Sequence, residues 1–179
     1  MHRVSWSGYE SLLAIRGEAP VPRMAYLAGE LELMSPSRDR ELIRSVLARL
    51  VNAAAEHVGI DLWPVGSWTV KSAPNERGLE PDECWTLGDP RTKEAPDLAL
   101  EVIWTNTHVE LEIYRGLGVG EVWFWRNDAI AIHLLRDGRY ETSSRSAILP
   151  ELDVQLVARL AREPPREAMS QLRARLAAG

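Results

Sequence analysis

Cysteine is almost missing from this sequence. Cys84 stands alone, which excludes an intrachain disulfide and fits a reducing compartment. Long apolar runs are missing too. Nothing nears the roughly 18 consecutive apolar residues that a membrane span needs, and Met1-His2-Arg3-Val4-Ser5-Trp6 lacks the apolar stretch of a signal peptide. The expectation is a cytoplasmic protein with no membrane partner. Positive charge is in deficit: 21 basic residues face 26 acidic ones, for a formal net charge of -5. Proteins that coat DNA without metal are usually basic, because phosphate neutralisation supplies most non-specific affinity. The balance argues against that class, though not against an enzyme that meets phosphates through a divalent cation. Lysine is scarce, with Lys71 and Lys93 the only two. The four histidines, His2, His57, His108 and His133, show no metal-ligand spacing with one another or with Cys84, so no structural zinc site is expected. Phosphate-binding glycine loops and nucleophile elbows are also absent. Gly116-Leu117-Gly118-Val119-Gly120 lacks the strand-then-helix context of a dinucleotide loop and reads as a helix terminator.

What is present is a hydrophobic content of 45%, enough for a real core, in a length typical of one domain. Residues 5 to 15 have the pattern of a short amphipathic helix, broken by Gly17, Pro20 and Pro22. Residues 24 to 34 read as a β-hairpin turning at Ala28-Gly29 or Gly29-Glu30. Ser35-Pro36-Ser37 then caps a helix over 38 to 57, in which Leu42, Ile43, Val46, Leu47, Leu50, Val51 and Ala54 recur at helical spacing until Gly59. Residues 61 to 71 read as a strand with a bulge at Gly66, and Leu79 to Leu87 and Pro96 to Trp104 as two more. A short helix over 108 to 117, a buried strand from Glu121 to Trp125, and a hairpin across Asp137-Gly138 follow. Two helices, near 153 to 162 and 165 to 177, close the chain. Trp104, Trp123 and Trp125 fall in central strands, where packing accounts for them better than base stacking does.

Two strands carry carboxylates where core strands ordinarily do not: Glu80-Pro81-Asp82-Glu83-Cys84-Trp85 and Ala95-Pro96-Asp97-Leu98-Ala99-Leu100-Glu101-Val102. A Glu set between Leu100 and Val102 needs water, a partner or a metal, since an unpaired buried carboxylate is costly. Solvated strand ends would also accommodate these groups. Asp97 and Glu101 share a face of their strand but lie about 13 Å apart, too far for one Mg²⁺ bound at about 2.1 Å. Asp82, on a neighbouring strand, meets Glu101 at close range across the sheet. Asp82 with Glu101 is therefore the candidate pair, and Asp97 after Pro96 reads as a strand-start residue.

The order of these motifs resembles a known family. It runs Gly29-Glu30-Leu31-Glu32-Leu33-Met34-Ser35-Pro36-Ser37, a helix beginning near Glu41, Glu80-Pro81-Asp82, then Ala95-Pro96-Asp97-Leu98-Ala99-Leu100-Glu101-Val102. Leu111-Glu112-Ile113-Tyr114, Gly118-Val119, Glu121-Val122-Trp123-Phe124-Trp125 and Leu149-Pro150-Glu151-Leu152-Asp153 complete it. Together they are similar to the Uma2 family, also called DUF820, bacterial proteins grouped with restriction endonucleases of the PD-(D/E)XK superfamily. The resemblance implies a single α/β (α+β) domain over residues 1–179: a restriction-endonuclease-like core with a mixed β-sheet flanked by helices, an N-terminal β-hairpin and C-terminal helices. It implies Mg²⁺ or Mn²⁺ held by Asp82 and Glu101, with Glu41 as a third ligand from the helix. It also implies DNA as partner and a homodimer, because cutting both strands of a duplex favours paired sites.

The departures from the family pattern concern charge. The lysine of the standard fold would stand at Ile103, and the lysine that Uma2-like proteins carry on the following helix would stand at or beside Glu110. A histidine usual before the helix glutamate is Arg40 here. Lys71 on the preceding strand is the candidate stand-in for the lost cation, with Arg115 aimed elsewhere by helix spacing. His108 is the one histidine close to this region. Two expectations follow. The first is a metal-dependent endonuclease that hydrolyses DNA phosphodiester bonds. The second is a catalytically impaired nuclease-fold protein that serves as a binding or oligomerisation module, because Glu110 replaces the lysine.

Overall fold

A computed structural model describes residues 1–103 and 108–178, with the His108 side chain left aside. Trp104, expected in a central strand, lies outside the described residues, as does the side chain of His108. Helix α1 (Trp6–Arg16) starts at Ser5, whose hydroxyl accepts from the Gly8 amide. Strands β1 (Arg23–Leu27) and β2 (Glu30–Met34) form the expected hairpin. Helix α2 (Arg38–Val58) is capped by the Ser37 hydroxyl and ended by Gly59 at φ 72°, a left-handed conformation that glycine adopts without strain.

The run 61–71 is not one strand. It divides into β3 (Leu62–Pro64) and β4 (Val70–Ser72), which join different sheets. The run 79–87 divides in the same way, into β5 (Arg77–Leu79) and β6 (Glu83–Leu87). The divider is Pro64 with Gly66 (φ 75°) in the first case and Pro81 in the second. A proline has no N–H for a ladder, so the chain leaves one sheet and enters another there. Strands β7 (Leu98–Val102) and β8 (Glu121–Arg126) are parallel and joined through helix α3 (His108–Leu117). Strands β9 (Ala129–Arg136) and β10 (Arg139–Ser143) form the last hairpin, followed by α4 (Val154–Leu160) and α5 (Pro165–Ala177).

The larger sheet runs β10-β9-β8-β7-β6-β3 and the smaller β2-β1-β5-β4. Alternation along β7 separates two cores. Leu98, Leu100 and Val102 pack with Leu47, Leu50, Trp123, Trp125 and residues of α4 and α5. Ala99 and Ile103 face the other way, against Ile113 and Tyr114 of α3 and Ala25 and Leu79 of the small sheet. Glu101 shares that second face and is 2% exposed. Among the described residues no helix is long and apolar enough to cross a membrane.

Candidate active site

Strands β6 and β7 pair antiparallel with Glu83 opposite Leu100, and one more step of that register sets Asp82 opposite Glu101. Opposed residues share a face, so the two carboxylates meet beneath α3, as the strand geometry predicts. Both are buried, Asp82 fully, and the Asp82 amide donates to Glu101 Oε2 at 3.3 Å.

Guanidinium groups surround this pair. Arg40, in the first turn of α2, donates through Nε to Asp82 Oδ2 at 2.8 Å and Oδ1 at 3.1 Å, and its Nη2 lies 2.8 Å from Oδ2. The same Nη2 donates to Glu101 Oε2 at 3.4 Å. Arg23, on β1, donates through Nη1 to Asp82 Oδ1 and through Nη2 to Glu41 Oε1 at 2.8 Å. Arg44, one helical turn beyond Arg40, bridges Glu41 at 2.9 Å and Glu83 at 2.8 Å. The Val102 amide donates to Asp82 Oδ2 at 2.7 Å, and the Tyr114 hydroxyl donates to Glu101 Oε1 at 2.5 Å.

With all of them ionised, the five carboxylates Glu41, Asp82, Glu83, Glu101 and Glu110 face three guanidiniums, a formal excess of two negative charges. Burial and this crowding of carboxylates together shift Glu101 and Glu110 upward. Burial, then Asp82 and Glu110, push Glu101 well above the usual carboxylate range, against the pull of Tyr114 and Arg40. Burial raises Glu110 to about 7, with Arg40 opposing and Glu32 and Asp82 adding to the rise. Burial works against the Arg40 charge, yet Asp82 and Glu101 hold its pKa above the ordinary value. Glu110 Oε2 is buried without a hydrogen-bond partner among the described residues.

Donor chemistry and charge fit a hard divalent cation: oxygen ligands only, two charges to neutralise, and an orphaned carboxylate oxygen close by. The arrangement is less open than the chemistry. Among the described residues no three His, Cys, Asp or Glu side chains are grouped to hold a metal, because guanidiniums stand between the carboxylates. Asp82 and Glu101 remain as the pair, and a Mg²⁺ ion commonly uses only one or two protein carboxylates together with substrate phosphates. Glu41 is tied to the pair through Arg23.

The other candidates lie apart. Lys71 is exposed on β4 and ion-paired to Glu10 of α1 at 2.8 Å. Asp97 accepts from the Leu87 amide at 2.7 Å and from Lys93 at 3.1 Å, fixing the entry to β7. Arg115 is spent on Glu112 at 2.8 Å. Sequence reasoning overlooked Arg23, Arg44 and Tyr114. Tyr114 had a signal, since it follows Glu110 at helical i,i+4 spacing and so shares its face, and so did Arg44, three residues after Glu41 on the same helix; Arg23 had none.

No curated protein matches the chain. The crystal structure of a DUF820 protein from Anabaena variabilis ATCC 29413, described as a putative nuclease, superposes with a TM-score of 0.60 at 12% identity, covering 87% of this chain and 99% of that one. At that identity the likeness is one of fold, a mixed α/β core that this chain shares with the DUF820 protein. A model of the Uma2 family, described as "Putative restriction endonuclease", matches residues 6–163, nearly the whole of the chain and every element that builds the acidic centre: this chain belongs to the Uma2 family.

Proposed function

We propose that the chain is a divalent-metal-dependent endonuclease acting on DNA phosphodiesters, with Asp82 and Glu101 as the metal-holding carboxylates. The observation that carries this reading is the register-paired, buried Asp82 and Glu101 in a centre formally two positive charges short of neutrality. Mg²⁺ or Mn²⁺ bound there would neutralise phosphate oxygens and make water more acidic. The protein's own groups set the stage. Arg23 and the Val102 amide fix the Asp82 carboxylate, and Tyr114 fixes Glu101. Glu41 orients Arg23 and Arg44 and is the third candidate ligand. Glu110, near 7, exchanges a proton at neutral pH beside the pair.

Plasmid nicking in Mg²⁺ or Mn²⁺, repeated with Asp82→Asn and Glu101→Gln, tests the proposal. Metal Lewis-acid stabilisation is worth several kcal/mol, so each substitution should lower the rate by about a hundredfold or more. Wild-type nicking that persists in EDTA, or that survives both substitutions, would sink it. Paired cutting of both strands calls for a homodimer, which sedimentation of the chain with duplex would register.

A second reading keeps the fold as a binding module without cleavage. Two observations favour it: the Asp82 oxygens are taken up by guanidiniums, and a glutamate at position 110 faces the centre. Metal binding with no nicking, together with nicking gained on Glu110→Lys, would select this reading over the first.

A further inference from the structure

Asp82 carries more donors than a metal ligand can. Oδ2 receives the Val102 amide at 2.7 Å and Arg40 Nε at 2.8 Å, with the charge of Arg40 Nη2 also 2.8 Å away, while Oδ1 receives Arg23 and, at 3.1 Å, the same Arg40 Nε. A carboxylate offers about four lone-pair sites, and these are filled. A cation at about 2.1 Å from either oxygen would collide with a guanidinium nitrogen and be repelled by its charge. Some arginine must leave before an ion can enter.

The two arginines on Asp82 are not equivalent. Arg23 is anchored elsewhere, by its second nitrogen on Glu41. For Arg40, every side-chain hydrogen bond among the described residues ends on Asp82 or Glu101. Among the described residues its hydrogen bonds thus rest on the two groups that the metal would take, with the Glu110 charge acting on it as well. A displaced guanidinium is a strong, fork-shaped ligand for a phosphate.

Resting on the metal-dependent reading above, we propose that Arg40 is the built-in counter-ion of the metal-free centre and couples metal loading to the arrival of a phosphodiester. Its guanidinium holds Asp82 and Glu101 together while no substrate is present. A phosphodiester draws it away, and the lone pairs it vacates become available to the divalent ion. Charge supports the exchange. With Arg40 moved to the phosphate and a divalent ion in its place, the same five carboxylates meet two guanidiniums and two metal charges, one charge short rather than two. A site so built takes metal weakly alone and tightly with DNA.

Ca²⁺ is a suitable probe, a hard cation for oxygen ligands, read by calorimetry with and without a short DNA duplex. By linkage, duplex affinity from fluorescence anisotropy must change by the same factor when Ca²⁺ is added. For the wild type, duplex should raise Ca²⁺ affinity about tenfold or more, within the usual range of coupled sites. Arg40→Gln should bind Ca²⁺ about tenfold more tightly than wild type without DNA, and duplex should add less than about twofold. Its melting temperature should fall in chelator and recover with Ca²⁺. Arg40→Lys keeps the charge but loses the fork, should fall between the two, and carries the comparison if the glutamine variant does not fold. If Arg40→Gln binds Ca²⁺ no more tightly than wild type, or keeps the duplex-dependent gain, the proposal is wrong while the metal-dependent reading stands. If Ca²⁺ binds to neither protein, with or without duplex, the metal-dependent reading falls and takes this one with it.

Discussion

At the scale of single residues, the centre is defined by an imbalance, and Glu110 is where it can be measured. Unfolded, a glutamate titrates near 4.5; in the folded chain Glu110 titrates near 7. Between those pH values the folded chain keeps a proton that the unfolded chain has released, so stability falls as pH rises. The contribution is whole below the unfolded value and spent above the folded one. Glu101 is shifted in the same direction and deepens the slope. Urea titrations in chelator should show the protein losing stability from pH 5 to pH 8, and Glu110→Gln should flatten that slope. The variant should gain on the order of 3 kcal/mol at most at pH 8, from a shift of 4.5 to about 7. A glutamine variant with an unchanged slope would show that Glu110 does not carry the excess charge. Arg40 stood out in the sequence as a departure from the family pattern, but the carboxylates on other strands that the arginines meet were not legible there. Arg23, Arg40 and Arg44 reach carboxylates 59, 42 and 39 positions away, and no periodicity relates a long side chain to a partner so remote.

At the scale of elements, local patterns announced most of the fold. The amphipathic spacing of α2 and the Ala28-Gly29 and Asp137-Gly138 turns are local signals, and the structure keeps them. The run 79–87 announced β-structure but not which sheet; that depends on Pro81, which ends pairing in the small sheet and puts Asp82 at the mouth of the large one. This break matters because it lets one short segment join both layers and deliver the carboxylate between them. The seam is closely packed at β5. A Cβ on Gly78 would stand 2.2 Å from the Tyr9 hydroxyl and 2.7 Å from two ring carbons, and Tyr9 is fully buried, stacked on Tyr26 at 4.9 Å. Gly78→Ala should therefore cost about 1–3 kcal/mol by overpacking, read from denaturant midpoints. Tyr9→Phe removes a hydroxyl buried without a partner among the described residues and should hold stability or raise it by up to about 1 kcal/mol. A harmless Gly78→Ala would mean that α1 is not seated against β5 in solution.

At the scale of the whole molecule, charge sets how DNA can be met. The pairing of Asp82 with Glu101 was legible because strand geometry and motif order agree on it, and the net charge of -5 was legible by counting. Neither disclosed that the acidic centre is lined with guanidiniums. A chain with more acidic than basic residues repels a polyanion at long range, so affinity for duplex must come from a few cations close to the site. Each phosphate neutralised contributes about -0.9 to the slope of log affinity against log salt. If Arg40 and one or two neighbours make those contacts, the slope in Ca²⁺ should lie at about -1 to -3, and Arg40→Gln should make it shallower by about one. Anisotropy titrations between 50 and 200 mM NaCl would measure it, at roughly constant Ca²⁺. A slope of about -6 or steeper would mean that an extended basic face, rather than the acidic centre and its arginines, binds the duplex, and the centre would then lose its claim to the substrate.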